Sequence, residues 1–425
     1  MNPAILSITI IGIAVVLFAT ERIPLAMTAL FATLSMSIFG IISYNDSLSG
    51  FGSPTVMMVI GMMIIGKALF ETGLAQVIGN SLFHHVGNDE KRFLLVIIIV
   101  ASIFSGFLSN TATVAMFMPI IASVAAQSNG KITKKNTFMA LGFAAVLGGN
   151  TTIVGSTPQL VAQGILAQTE GLRTIGFFEI SLAAVPMVLI MVLYFTFFGY
   201  GYMKKIFDFP EVEDTSMVMA AQEHSELSKT KMAISGLVLA GCVACFVMEL
   251  WNVGIIALLG AAILIVTGCI NERKAYQSVD WSTVVILGAA IGFSKGLEVS
   301  GGGQLITNGI LSVMGGPSAS PMMVMAAIVI ISVGLGNIMS HTATAAMMTP
   351  IVIRLAQSIG ANPISFVLAA VIGCNLAFAT PVGTVPVTMT LIGGYRFKDY
   401  TKVGGILTVI LTICLIIIIP LVYGL

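Results

Sequence analysis

Long apolar runs, punctuated by short polar or glycine- and proline-bearing steps, make up most of the chain. In the first half they cover roughly 3–20, 23–43, 55–75, 93–108, 112–127, 138–154 and 177–203. In the second half they cover roughly 232–250, 253–270, 283–297, 321–339, 344–358, 363–378 and 403–423. A helix needs about 20 apolar residues to span a bilayer. The runs on either side of positions 109–111 and 340–342 are shorter, at about 16 residues, so each pair predicts a re-entrant hairpin that enters to the midplane, turns at a polar tip and leaves on the same side. Non-helical backbone at that depth survives only where protein covers it or a cavity admits water. The pattern therefore predicts an all-α polytopic membrane protein.

The two halves repeat each other. Ser109-Asn110-Thr111-Ala112-Thr113 returns as Ser340-His341-Thr342-Ala343-Thr344, and Gly155 and Pro158 return as Gly383 and Pro386. The predicted first repeat is 1–203, with scaffold spans 3–75, an amphipathic arm 76–91, a hairpin 93–127, a broken helix 138–169 and a span 177–203. A linker follows at 204–231. The second repeat is 232–425, with scaffold spans 232–297, an arm 299–318, a hairpin 321–358, a broken helix 363–395 and a span 403–423. Each half has an odd number of full crossings, five, so the second half is inverted.

Composition agrees with lipid as the main solvent: 57% of residues are apolar and 9% charged. A net charge of +1 gives no basic field for nucleic acid. Cys242 and Cys245 form a C-x-x-C inside an apolar run with no second pair nearby, which predicts helix packing and not metal or redox chemistry. Residues 3–20 lack a basic leader and a cleavage site and read as a retained span. With both termini outside, the cytoplasmic loops hold 15 of the 19 basic residues, as the positive-inside rule requires of a cytoplasmic (inner) membrane protein. His84 and His85 then lie in the cytoplasmic arm.

The chemistry concentrates at the tips. A helix that ends at the midplane offers free carbonyls, and the helix that starts there offers free N–H groups. Carbonyl, serine and asparagine oxygens suit a small hard cation, while N–H, amide and hydroxyl donors suit an anion. Glycine and proline in Gly148-Gly149-Asn150-Thr151-Thr152 through Pro158, and in Ala379-Thr380-Pro381-Val382-Gly383 through Pro386, break a second helix in each half. Matched interruptions in two halves point to a shared binding site of a transporter. Ser109 and Ser340 are also good N-caps for the outgoing legs. No Asp or Glu lies in either hairpin or either second interruption, which argues against a cation/proton antiporter and for an anion held by neutral dipoles. A membrane enzyme would need a nucleophile–base pair or metal ligands, and His341 has no acid or second histidine near it in sequence.

On Ser109-Asn110-Thr111, Gly155-Ser156-Thr157-Pro158, Ser340-His341-Thr342, Ala379-Thr380-Pro381 and Gly393-Gly394-Tyr395-Arg396-Phe397, the chain resembles the divalent anion/Na+ symporter family. These are the di- and tricarboxylate carriers of the wider ion transporter superfamily. The resemblance implies a homodimeric elevator-type transporter whose spans near 3–75 and 232–297 form a fixed scaffold. It implies a Na+ site at Ser105, Ser109, Asn110 and Gly155. Substrate carboxylates would bind at Asn110, Thr111, Ser156, His341, Thr342 and Pro381. A second cation site would map to Gly336, Met339, His341 and Ala379. That second site is altered, because family symporters carry Asn where this chain has His341; the change predicts that the ring, as an imidazolium, takes the place of the second Na+. The implied function is secondary transport of a succinate-, malate- or citrate-like anion, Na+-coupled or by exchange, with no covalent cofactor. A sulfate or other oxyanion permease, a Na+/H+ antiporter and an arsenite-type permease are the alternatives.

Overall fold

The computed structural model describes residues 2–74, 77, 89–128, 130–211, 228–314, 316 and 319–425, and among these every regular element is helical. Most of the predicted arm 76–91, with His84 and His85, and the middle of the linker lie outside the described residues. Among the described residues, seven helices are long and apolar enough to cross a membrane. Large side chains such as Phe197, Val266 and Leu421 are about four-fifths exposed or more (82%, 86% and 79%), which only a lipid surround makes tolerable.

The same order of elements occurs twice. The first half runs Pro3–Thr20, Leu25–Ile38, Tyr44–Ser49 and Pro54–Glu71, then a hairpin of Glu90–Ser105 and Asn110–Gln127. A broken pair, Phe138–Gly149 and Thr157–Gln168, and a closing helix, Ser181–Ile206, complete it. The second half runs Lys229–Val247, Val253–Val266, Glu272–Gln277 and Trp281–Val299, then the amphipathic helix Gly302–Met314. Its hairpin is Pro321–Gly336 and His341–Ser358, its broken pair Pro363–Asn375 and Val385–Met389, and its closing helix Phe397–Tyr423. Gly73 (φ 78°) and Gly301 (φ 76°) follow the ends of equivalent helices, a left-handed step that favours glycine.

The halves interlock through exchanged partners. Pro54–Glu71 packs on Val253–Val266, and Leu25–Ile38 packs on Trp281–Val299. Small residues permit the approach: a Cβ on Gly61 would lie 2.6 Å from the Ala257 carbonyl oxygen. Thr33 Oγ1 donates to Ala289 O at 2.6 Å across the second contact. The broken helices occupy the interior. Phe138–Gly149 is buried at every position, and Pro363–Asn375 at every position after the first. Backbone breaks at the ends of these two helices are thus shielded from lipid, as a membrane interior demands.

Three boundaries differ from the sequence pattern. The run 23–43 is not one span: its helix stops at Ile38, Gly40 turns at φ 72°, and Ser43 caps a separate short helix by accepting from Asp46 N at 3.1 Å. The last helix begins at Phe397, ahead of the apolar run, because Arg396 N donates to Asp399 Oδ2 at 2.8 Å in a capping box. The second half of the later broken helix is short, passing into a 3-10 turn at Thr390–Gly393 and then Gly394 at φ 89°.

Candidate functional site

At the first tip, Ser109 caps the outgoing leg, its Oγ accepting from Ala112 N at 3.3 Å. Asn110 follows, buried, and its amide sits between two environments. One end lies 2.7 Å from Ser105 Oγ, 2.9 Å from Gly155 O and 3.0 Å from Ala145 O. The other end reaches Ser156 Oγ at 3.4 Å. With its NH2 turned to the first set, the amide satisfies those acceptors itself; with its oxygen there, it completes a ring of oxygens that a cation would hold together. The space is small and shaped by glycine. A Cβ on Gly155 would lie 2.7 Å from the Ser105 carbonyl oxygen, and one on Gly149 would lie 2.9 Å from the Gly155 carbonyl oxygen and press on Asn110 Oδ1. Hard oxygen donors with no acid among them fit a monovalent cation such as Na+.

At the second tip, Ser340 Oγ likewise accepts from Ala343 N, at 3.2 Å. His341 N donates to Gly383 O at 3.0 Å, which pins the tip to the second interruption. The ring is 3% exposed. Its Nδ1 faces Asn375 Oδ1 at 3.2 Å, and its Nε2 has no partner. Asn337 fastens the same region: its Oδ1 accepts from Ala379 N at 3.0 Å, and its carbonyl accepts from Thr380 Oγ1 at 2.8 Å.

Both tips and both interruptions face one cavity of about 1140 Å³. Asn110, Thr111, Ser156, His341, Thr342 and Pro381 all line it, as do Ser109 and Gly155. The opposite wall belongs to the spans Pro54–Glu71 and Trp281–Val299, through Met63, Lys67, Phe70, Thr283 and Ile286. Charge enters the cavity from that wall and the mouth: Lys67, which pairs with Glu71 at 3.2 Å, and Glu21 and Asp280. Glu71 also holds Lys274 at 2.5 Å, so this trio carries one net positive charge.

Of the four residues expected at the first cation site, the structure gathers Ser105, Asn110 and Gly155, while the Ser109 hydroxyl is engaged in its cap. Ala145 joins through its carbonyl, a contribution no side chain announces. Of the second set, Gly336 and His341 meet at Gly383, where a Cβ would lie 2.7 Å from Nε2 and press on Gly336 O. The Ala379 carbonyl accepts from Thr401 Oγ1 at 3.0 Å, and Met339 is buried beside the tip. Asn337 and Asn375 went unread in the sequence; Asn337 is a single amide at the end of an apolar helix, whereas Asn375 closes a repeat, Ala144-Ala145-Val146-Leu147-Gly148-Gly149-Asn150 returning as Ala369-Ala370-Val371-Ile372-Gly373-Cys374-Asn375.

Two inverted repeats, each with a re-entrant hairpin and a broken helix, and whose polar breaks meet in one membrane-embedded cavity, define a polytopic membrane transporter and not an enzyme. Residues 15–370 match the family model described as citrate transporter (CitMHS), and the chain belongs to that family. It is 26% identical to the sodium-dependent high-affinity dicarboxylate transporter 3 of Caenorhabditis elegans, over 93% of this chain and 79% of that protein. It is 23% identical to the sodium-dependent dicarboxylate transporter SdcS of Staphylococcus saprophyticus, over 91% and 79% of the two chains. Among solved structures, the Alcanivorax borkumensis YdaH transporter has the same fold, with a TM-score of 0.65 at 13% identity over 99% of this chain and 98% of that one. Neisseria gonorrhoeae MtrF matches with a TM-score of 0.63 at 14% identity, over 99% and 94%.

Proposed function

We propose that this protein is a secondary carrier that moves a small di- or tricarboxylate, of the citrate, succinate or malate kind, across the cytoplasmic membrane together with Na+. The observation that carries this reading is the double exposure of Asn110. One end of its amide completes the oxygen cluster with Ser105, Ala145 and Gly155, and the other reaches Ser156 on the cavity wall. A cation that turns the amide oxygen inward turns the NH2 toward the anion, so occupancy of one site prepares the other. The sodium-dependent dicarboxylate transporters among the relatives support both substrate class and ion.

The hairpins and broken helices would move as one body against the scaffold spans, with Asn110, Thr111, Ser156, Thr342 and Pro381 carrying the anion. Glu21, Gln277 and Asp280 line the cavity, on loops that the charge pattern assigns to the cytoplasm, and this supports reading the conformation as inward-facing. A homodimer through the scaffold would use faces such as that of Lys229–Val247, the least buried of the long apolar helices at 17%.

A thermal-melt screen of the purified protein tests the reading. Citrate or succinate at about 100 times Kd adds roughly 2.7 kcal/mol of stability. The melting temperature should rise with citrate or succinate in Na+ and rise far less in K+. Equal shifts in K+, or a larger shift with sulfate or arsenite, would contradict it.

A further inference from the structure

The two broken helices are joined at their ends by a buried bridge that neither half could build alone. Asn150 caps the end of Phe138–Gly149, and Asn375 is the last residue of Pro363–Asn375, so the two occupy equivalent places in the two repeats. Asn375 Nδ2 donates to Asn150 Oδ1 at 2.6 Å. On the first-half side, Gln159 Nε2 donates to the same oxygen at 2.9 Å and to Gly149 O at 3.1 Å. On the second-half side, Asn375 Oδ1 lies 3.2 Å from His341 Nδ1. Asn150, Gln159 and Asn375 are fully buried.

The direction of every bond in this chain follows from one group. A main-chain carbonyl can only accept, so Gly149 O requires the NH2 end of Gln159. That NH2 requires the oxygen of Asn150; the oxygen of Asn150 requires the NH2 of Asn375; and the remaining oxygen of Asn375 requires a hydrogen on His341 Nδ1. Among the described residues no carboxylate bonds the ring, and an unpaired charge at such burial is costly.

We propose that Gln159, Asn150 and Asn375 form a one-way amide relay that holds His341 as the neutral tautomer protonated on Nδ1, with its Nε2 lone pair turned to the Gly336–Gly383 break. The three are positioning residues. The second tip then presents acceptors, Nε2 beside Gly336 O, where the sequence suggested an imidazolium. Such a surface turns a carboxylate away and leaves the anion to Asn110, Thr111, Ser156 and Thr342, an assignment that rests on the carrier reading above. The relay starts at the Gly149 carbonyl, and Gly149 packs on Asn110 in the first oxygen cluster, so the hydrogen-bonded chain from the second tip ends in packing contact with the first.

The tautomer can be read directly. In a protein with His84, His85 and His224 replaced by Gln, 15N-labelled histidine reports on His341 alone. In lipid bilayers at neutral pH, the expected spectrum has one protonated nitrogen, Nδ1, and one bare nitrogen, Nε2. Asn375→Leu should abolish that preference. Gln159→Met, which leaves the contact of His341 with Asn375 in place but removes the anchor of the direction, should give a mixture of tautomers. A proton on Nε2 in the otherwise unchanged protein, or on both nitrogens, overturns the proposal, and so does a spectrum that both variants leave unaltered. Should either variant fail to fold, the unsubstituted relay decides through its own spectrum. The measurement needs no transport, so a protein that shows this spectrum but carries no carboxylate would refute the carrier reading and leave the relay standing.

Discussion

Replacing Asn110 with Ala abolishes Na+-stimulated uptake in proteoliposomes while the protein keeps its melting profile in the absence of ligand. The side chain bonds Ser156 at one end and sits against Ser105, Ala145 and Gly155 at the other, so truncation removes an oxygen from the cation cluster and a donor from the anion side together. Each loss is worth about 1–3 kcal/mol where the partner is left buried. Since about 1.4 kcal/mol is tenfold, the two together predict a drop of roughly thirtyfold to ten-thousandfold in kcat/KM. Asn110→Asp separates the parts. It keeps the oxygen and loses the donor, so Na+ affinity should survive better than substrate affinity. Wild-type uptake by the Ala variant would exclude the site as drawn.

A single methyl group is the second severe test. Gly155→Ala places a Cβ 2.7 Å from the Ser105 carbonyl oxygen and against the Gly149 carbonyl, and both neighbours are backbone that cannot rotate away. Overpacking of this kind costs about 1–3 kcal/mol. Its larger effect is on the ion, because the methyl fills the space between the oxygens. Na+ activation of uptake, or of the melting shift, should vanish. Gly164→Ala supplies the control in the same broken pair: its Cβ would meet side chains and no backbone, Ile291 at 3.1 Å and 3.4 Å and the Thr55 methyl at 3.9 Å, and transport should persist. Equal behaviour of the two variants would show that the cluster is structural.

The hairpins, their tips and the interruptions were legible because a membrane helix advertises its breaks: Ser109-Asn110-Thr111 and Ser340-His341-Thr342 stand out from the apolar runs around them, as do the glycines and prolines of the broken pairs. The residues named from the family resemblance at the substrate site face the same cavity. What escaped notice has a common cause. The Ala145 carbonyl has no sequence signature. Asn375 ends an apolar helix, and the repeat of 144–150 at 369–375 marks it as the counterpart of Asn150 without saying that the two side chains meet. Ser109, expected as a cation ligand, also serves as the cap of the outgoing leg, its Oγ accepting from Ala112 N with one of its two lone pairs. The break at Gly40 hid inside a run whose hydropathy is continuous, since a left-handed glycine leaves no mark on an apolar profile.

The relay also bears on how the two halves act together. A hydrogen bond between equivalent asparagines ties the broken helices at their innermost point, and both helices are buried along nearly their whole length. That tie supports the proposal that the hairpins and broken helices move together.

Uptake of labelled citrate and succinate into proteoliposomes, under an inward Na+ gradient and under K+ in its place, tests the central claim most directly. The account predicts saturable accumulation of at least one of the two anions with Na+ and little with K+, lost in Asn110→Ala. Failure of folded protein to accumulate either anion in Na+, or accumulation indifferent to Na+ and to Asn110→Ala, would contradict it.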